Sequence, residues 1–572
     1  MANAAQSVAE ARELIERAHA AWQTYREFSQ AQVDAIVGAM AAAATAHAER
    51  LAKLAVDETT YGKVADKIQK NLFASEKVYS AIRDMRTVGP LSEDRERGII
   101  EMGVSMGVVA AILPCTNPTS TAIYKILISL KAGNAIVLSP HPAAMRCICE
   151  TVGLMHQAAV AQGAPGDLIG CFSTPTREGT QEMMSHRRTK VILATGGMGI
   201  VKAAYSSGKP AFGVGPGNVP AYIDRSADVA RAVGHVVAGK SFDWGTICSS
   251  EQALVAETAL REPILAELKK QNVYLMSPEE ADKMGKTLIH PETFTVNAKC
   301  VGQAPQKLAA MAGFGEKVGP EIRVLAAELA GMGKQYPLSA EKLSPVLALF
   351  FLPDRVRAMD RCRDLLHFGG LGHTCVIHAQ DEAVIRDYGA RMPAYRVVVN
   401  SPSPQGSIGL TTNLFPAMTL GCGAIGGNIT SDNIGPQHLM NIKRIAWDKG
   451  ERVSGSADQR VSGVGAPVGS TCTCQHAAPK DELRATVERI LAERGIHPAP
   501  EATPPAPDPR PLTPAFTPPP LPPKPKPVAF VCEADVREAA NAGRKIAIGP
   551  KTIVTPAARD LGRERDIFLV TT

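Results

Sequence analysis

The chain has 572 residues, 45% of them hydrophobic, and a formal charge of only +6. It is too long for one ordinary domain and apolar enough for two or three packed cores. A near-neutral balance with no Lys/Arg run gives no surface to track phosphates, so no nucleic-acid partner is predicted. The longest apolar runs, such as MGVVAAILP, fall well short of the roughly 18 residues a spanning helix needs. The N-terminal MANAAQSVAEARELIE carries acidic residues where a signal peptide has its apolar segment, so a cytoplasmic chain with no membrane partner is expected.

From Ser7 to about Arg86 the text is rich in Ala, Glu and Lys, and apolar residues recur at helical spacing, as in Leu51, Leu54 and Ala55. After Gly89-Pro90 short apolar runs alternate with helical stretches. GVVAAILP comes first, then a helix ending near Lys131-Ala132-Gly133-Asn134, then AIVLSP, a helix through His156, and KVILATGG running into MGIVKAAYSSG. Such alternation predicts an α/β fold with a parallel sheet covered on both faces, whose ligands sit at the carboxyl ends of the strands. A second mixed region opens near Lys240 and closes with TLGCGAIGGN, Thr419 to Asn428, so two lobes with a cleft between them are expected.

Past about Thr471 the composition changes. Residues 481–496 place Leu483, Val487, Ile490 and Leu491 on one stripe of an otherwise charged helix. Residues 498–527 are half proline and predict an extended, disordered linker spanning up to about 90 Å. The last forty residues regain apolar periodicity and are expected to form a helix and short strands, a unit too small to fold firmly alone.

The 12 cysteines show no disulfide-scaffold spacing. Cys472, Cys474 and His476, in CTCQH, have ligand chemistry, but a C-x-C without a second pair nearby is a poor zinc pattern and no metal is predicted. Cys248, in FDWGTICSSEQ, follows the flexible Gly245 and has little bulk around its sulfur beyond Trp244 and Ile247. A thiol attacks only as thiolate and needs a dipole, cation or base beside it. By residue type alone a core filler is the favoured reading of Cys248, and Cys115 in LPCTNPTS is a rival nucleophile.

A wider pattern separates these readings. GVVAAILPCTNPTSTAIYKILISLKAGNAIVLSPHPAA, VILATGGMGIVKAAYSSGKPAFGVGPGNVPAYID, FDWGTICSSEQALVAE, PLSAEKLSPVLALF and TTNLFPAMTLGCGAIGGNITSDNIGPQHLMNIKRIAWD together resemble the aldehyde dehydrogenase superfamily. They are most similar to its coenzyme A-acylating branch, which converts acetaldehyde or propionaldehyde to acyl-CoA, and the resemblance runs in order over about residues 5 to 450.

The resemblance implies two Rossmann-like α/β lobes with a cleft. Residues 1–239 would be a dinucleotide- and CoA-binding domain with a helical N-terminal region, 240–430 the catalytic domain, and 431–470 a return segment and oligomerisation region. Residues 471–530 would hold the amphipathic helix and the linker, and 531–572 a small C-terminal segment. A homodimer or homotetramer is implied. By position, Cys248 becomes the nucleophile, and Asn117 with the Cys248 backbone N–H the oxyanion donors. Glu341 would hold the nicotinamide ribose of NAD, with Thr195, Gly196, Gly197, Gly199 and Gly215 at the dinucleotide turn. Ser139, Pro140 and His141 stand where hydrolytic relatives have a lysine-containing segment for the adenine ribose.

Hydrolytic members carry a glutamate that activates water against the thioester, and the matching text here, FGVGPGNVP, puts Gly213 at that place. Without that base the thioester is expected to wait for coenzyme A. A hydrolytic enzyme, or a shell-binding scaffold with an inactive dehydrogenase body, are the competing expectations. The helix 481–496 on its proline-rich linker resembles the peptides that dock enzymes to bacterial microcompartment shells, which implies shell proteins as partners, and IVTPAARDLGRERDI is similar to segments of other microcompartment-associated proteins.

Overall fold

The structure is a computed structural model that describes residues 2–448 and, in the tail, 528–570 apart from 543, 550–551, 556–557, 560 and 563–566. The amphipathic helix 481–496, the proline-rich linker, residues 449–470 and the CTCQH group all lie outside the described residues. The chain divides into two compact units, Met1–Arg460 and Val461–Thr572.

The first unit begins with the helices Ala2–Tyr25, Gln30–Ala46, Ala48–Thr59 and Val64–Leu72. The second starts where it does because Ser29 and Gln32 form a reciprocal capping box. It buries Val33, Ile36, Val37, Met40, Ala41 and Ala44, one face at helical spacing.

A hairpin of β1 (Gly89–Asp94) and β2 (Ile99–Ser105) precedes a five-stranded sheet of β3 (Val108–Ile112), β4 (Ala135–Ser139), β5 (Ile169–Cys171), β6 (Thr189–Thr195) and β7 (Ala211–Val214). The order is β5-β4-β3-β6-β7 and every pairing is parallel. All five residues of β3 and of β4 are buried, as strands covered on both faces must be. The direction of travel through the sheet reverses between β3 and β6, and a crevice opens beyond their carboxyl ends.

The second sheet contains β8 (Val219–Ile223), β9 (Glu251–Glu257), β10 (Val273–Leu275), β11 (Val324–Glu328), β12 (Val346–Leu352), β13 (Gly372–His378) and β14 (Ala394–Val399), all parallel, in the order β10-β11-β12-β9-β8-β13-β14. It begins earlier than the boundary expected at residue 240. β8 pairs with β9 and β13, and the helix Val229–Ser241 sends Ala232, Val233, Val236 and Val237 into the core of this sheet. The chain therefore changes lobe at residues 215–218, because the apolar run VPAYI finds its partners in strands that come later in the sequence.

That crossing decides the position of the site. Leaving β7 at a carboxyl end, the chain enters β8 at an amino end, so the carboxyl edge of one sheet faces the amino edge of the other. β15 (Met440–Ala446) returns to pair antiparallel with β2. No helix among the described residues is long and apolar enough to cross a membrane. In the second unit, two parallel strand pairs, Phe530–Val531 with Ile553–Val554 and Ile546–Ile548 with Phe568–Val570, pack with the helix Glu533–Asn541 around Val531, Val536, Ala539, Ala558 and Ile567. This is the helix and short strands read from the sequence.

Candidate active site

A cavity of about 700 Å³ lies between the two sheet edges. Asn117, Ser139, Pro140, His141, Thr195, Gly196, Gly197, Gly199, Gly215, Cys248 and Glu341 all line it, so the residues given a catalytic or cofactor-binding role by the resemblance meet in one place. The first sheet supplies its share from carboxyl ends, as expected. The second supplies Cys248 before β9, Glu341 before β12 and Pro216 before β8, all from amino ends, which the rule for a single open sheet does not anticipate.

Cys248 follows a tight turn in which Asp243 (φ 48°), Trp244 (φ 51°) and Gly245 (φ 73°) are left-handed in succession. Two such non-glycine residues cost of order 1–3 kcal/mol each and persist only when their surroundings hold them. Asp243 is fully buried and does so. Its Oδ1 accepts Lys63 N–H at 2.7 Å, and its Oδ2 accepts Thr246 Oγ1 at 2.7 Å, Lys67 Nζ at 3.0 Å and Lys70 Nζ. Its own N–H donates to Asp66 at 2.7 Å. At Gly217 an added Cβ would stand 2.1 Å from the Cys248 carbonyl oxygen, so only glycine lets the crossing chain pass the Cys248 backbone.

The sulfur of Cys248 is 3.3 Å from His373 Nε2, at the start of β13. His373 Nδ1 is 3.0 Å from Thr374 Oγ1. Burial, then Glu341 and Cys422, pushes the Cys248 thiol up to about 12, against the pull of Arg396. Burial and Arg396 push the His373 imidazole down to about 3. Both groups rest neutral. Cys115 also lines the cavity, its thiol raised by burial, but among the described residues no histidine is hydrogen-bonded to its sulfur.

Asn117 is the N-cap of the helix Pro118–Lys131, yet its side chain caps nothing. Its Oδ1 accepts Lys70 Nζ at 2.5 Å, and its Nδ2 donates weakly to Thr116 Oγ1 (3.2 Å) and the Thr246 carbonyl (3.4 Å). Glu341 Oε1 accepts the Gly217 N–H at 2.9 Å, and burial lifts this carboxyl to about 7. It is the one carboxylate among the lining residues. Gly213 is buried, and a Cβ there would meet Val201 at 2.8 Å and Tyr205 at 3.2 Å, so packing leaves no room for a glutamate.

The surroundings suit a dinucleotide. The Thr195 hydroxyl is buried without a partner on the cavity wall, and nothing lies within 4 Å of where a Cβ would stand on Gly197 or Gly199. These two glycines open the helix Met198–Tyr205, whose first N–H groups have no helical partner. Across the cavity Ser139 Oγ is 2.8 Å from Thr180 Oγ1, and burial lowers the His141 pKa. Among the described residues no group of three or more His, Cys, Asp or Glu is placed to hold a metal ion.

Sequence reasoning missed His373, Lys70 and Asp243. GLGHTC has nothing to set it apart from an ordinary strand, and the one hint of the lysines is the K-x-x-K spacing of Lys67 and Lys70, which puts both ammoniums on one helix face.

Residues 2–329 match the aldehyde dehydrogenase family. The bifunctional aldehyde-alcohol dehydrogenase of Escherichia coli K12 is 43% identical over 445 residues, covering 77% of this chain and 50% of that one, so the chain spans about half the length of the first curated relatives it matches. Among solved structures, an acetylating aldehyde dehydrogenase from Geobacillus thermoglucosidasius is 49% identical over 78% of this chain and 98% of its own, with a TM-score of 0.76. A propionaldehyde dehydrogenase from the Clostridium phytofermentans fucose utilisation bacterial microcompartment is 30% identical (77% and 97% covered, TM-score 0.70). Another from Rhodopseudomonas palustris, with bound CoA and an acylated cysteine, is 27% identical (76% and 97% covered, TM-score 0.70).

Proposed function

The chain belongs to the aldehyde dehydrogenase family, and on that premise we propose that it is a coenzyme A-acylating aldehyde dehydrogenase that oxidises a short-chain aldehyde, acetaldehyde or propionaldehyde, with NAD. The observation that carries this is the pairing of Cys248 with His373 in a cavity where a glutamate at residue 213 has no room.

With both partners neutral at rest, a free thiolate is disfavoured, and the proton leaves sulfur as sulfur adds to the carbonyl carbon. The tautomer that donates Nδ1–H to Thr374 turns the Nε2 lone pair to the sulfur and takes that proton. The negative charge moves to the carbonyl oxygen, where Asn117 Nδ2 and the Cys248 N–H can meet it; one such donor is worth about 3 kcal/mol. When bound, NAD supplies the hydride acceptor and coenzyme A the thiol that receives the acyl group. Glu341 would hold the nicotinamide ribose, Thr195, Gly196, Gly197, Gly199 and Gly215 the pyrophosphate, and Ser139, Pro140 and His141 the adenine ribose. Loss of hydride leaves a thioester on Cys248, and the packing around Gly213 denies water the glutamate that hydrolytic members use there. The acylated cysteine and bound CoA of the Rhodopseudomonas palustris enzyme support this reading.

Assaying acyl-CoA against free acid, with and without coenzyme A, tests it; free acid at the same rate without coenzyme A would favour the hydrolytic reaction. Cys248→Ala abolishes aldehyde-dependent NADH formation on this scheme. We place the enzyme in the lumen of a bacterial microcompartment, supported by the tail sequence and the Clostridium phytofermentans relative, with residues 481–496 as the segment that docks to shell proteins. Deleting residues 480–572 then leaves activity in solution and abolishes co-sedimentation with shells; retained co-sedimentation would count against it.

A further inference from the structure

The oxyanion step proposed above requires one orientation of the Asn117 amide. An asparagine at a helix N-cap ordinarily fixes its side chain by accepting an N–H of the first turn. Asn117 makes no such bond, and its two terminal atoms are nearly equal in size. Turned the wrong way, it would present a carbonyl oxygen, with its own partial negative charge, to a developing oxyanion.

We infer that Lys70 is a positioning residue for catalysis, whose ammonium fixes the Asn117 amide so that nitrogen rather than oxygen faces the reacting carbonyl. An ammonium has three donors and no acceptor, so only Oδ1 can face it. The donors of Lys70 go to Asn117 Oδ1 (2.5 Å), Asp243 Oδ2 and Thr246 Oγ1 (3.4 Å), and the side chain is 2% exposed. Desolvation lowers the Lys70 pKa to about 8, with Asp243 the largest opposing influence. The same nitrogen therefore touches the oxyanion amide and the carboxylate that holds the turn before Cys248.

Lys67, one helical turn earlier, reaches the same carboxylate at 3.0 Å but gives its other bond to the Thr116 carbonyl and does not touch the Asn117 side chain. Removing Lys70 thus leaves Asp243 with an ammonium, the Thr246 hydroxyl and the Lys63 N–H, while the Asn117 amide loses its shortest orienting contact. Its nearest remaining partners are hydrogen bonds of 3.2 and 3.4 Å.

This inference rests on the oxyanion role proposed for Asn117, and a double-mutant cycle on the full chain separates the two. Lys70→Met and Asn117→Ala are each expected to lower kcat for aldehyde-dependent NADH formation about 100-fold, one donor's worth. The double variant should stay within about threefold of Asn117→Ala, because the same donor is lost only once. Alkylation of Cys248 by iodoacetamide should be unchanged in Lys70→Met, which a general loosening of the site would not allow. If Lys70→Met fails to fold, the same cycle is run with Asp243→Asn as the parent, where Lys70→Met/Asp243→Asn keeps the buried charge balanced.

Losses that multiply to about 10⁴ in the double variant, or native kcat in folded Lys70→Met, would overturn the role of Lys70 and leave that of Asn117 standing. A silent Asn117→Ala would overturn both.

Discussion

Replacing Gly217 by alanine tests the idea that the lobe crossing places the nucleophile. The new Cβ would lie 2.1 Å from the Cys248 carbonyl oxygen, whereas carbon and carbonyl oxygen settle at about 3.3 Å or more. About 1.2 Å must be found, and neither neighbour yields cheaply. Gly217 stands two residues before a buried strand and donates to Glu341, while Cys248 leaves a turn held by four hydrogen bonds or ion contacts to Asp243 and one from it. Displacing a reacting atom by about 1 Å costs roughly 100-fold in rate, or about 2.7 kcal/mol of transition-state stabilisation. We expect Gly217→Ala to lower kcat/KM for acyl-CoA formation by that factor while circular dichroism stays native, and the rate of Cys248 alkylation to change with it. Native kcat/KM in the alanine variant would show that the close approach at this crossing does not set the sulfur's position.

His373→Ala removes the proton acceptor and should lower kcat by 10²-fold or more, as loss of a general base does; a native rate would leave Cys248 dependent on some other base. Thr195→Val deletes a buried, partnerless hydroxyl, so the cofactor-free protein should gain about 1 kcal/mol in thermal unfolding while the KM for NAD rises several-fold; an unchanged KM would remove Thr195 from the cofactor site. Glu251 is fully buried and its carboxyl is pushed up to about 8, chiefly by desolvation. Between about pH 4.5 and 8 the folded chain therefore holds a proton the unfolded chain has lost, and this group makes stability fall as pH rises through that window. Glu251→Gln should flatten the fall in Tm over the window, and an unaltered slope would place the titration elsewhere.

The legible parts of this protein were those written locally. GVVAAILP and AIVLSP are strands because continuous apolar β-formers fit a sheet covered on both faces, and both are buried throughout. The residues carried over from the family resemblance reach one cavity because each sits at or close to the end of a strand, in a segment short enough to be recognised. The lobe boundary was misjudged because VPAYI reads the same in either sheet, and only its pairing with β9 and β13 assigns it.

Composition and pattern by themselves determined an α/β chain and its first sheet, since strand burial and turn chemistry act over a few residues, while the candidate nucleophile was singled out only by the family resemblance. Tertiary structure alone decided that His373 stands against Cys248 across 125 positions of sequence and that Lys70 meets Asp243 across 173. Contacts of that kind follow from the order in which strands pair and from which sheet edge faces the cavity. No spacing along the chain encodes them, because burial makes the charges of Lys70 and Asp243 interdependent only after the lobes have closed around them.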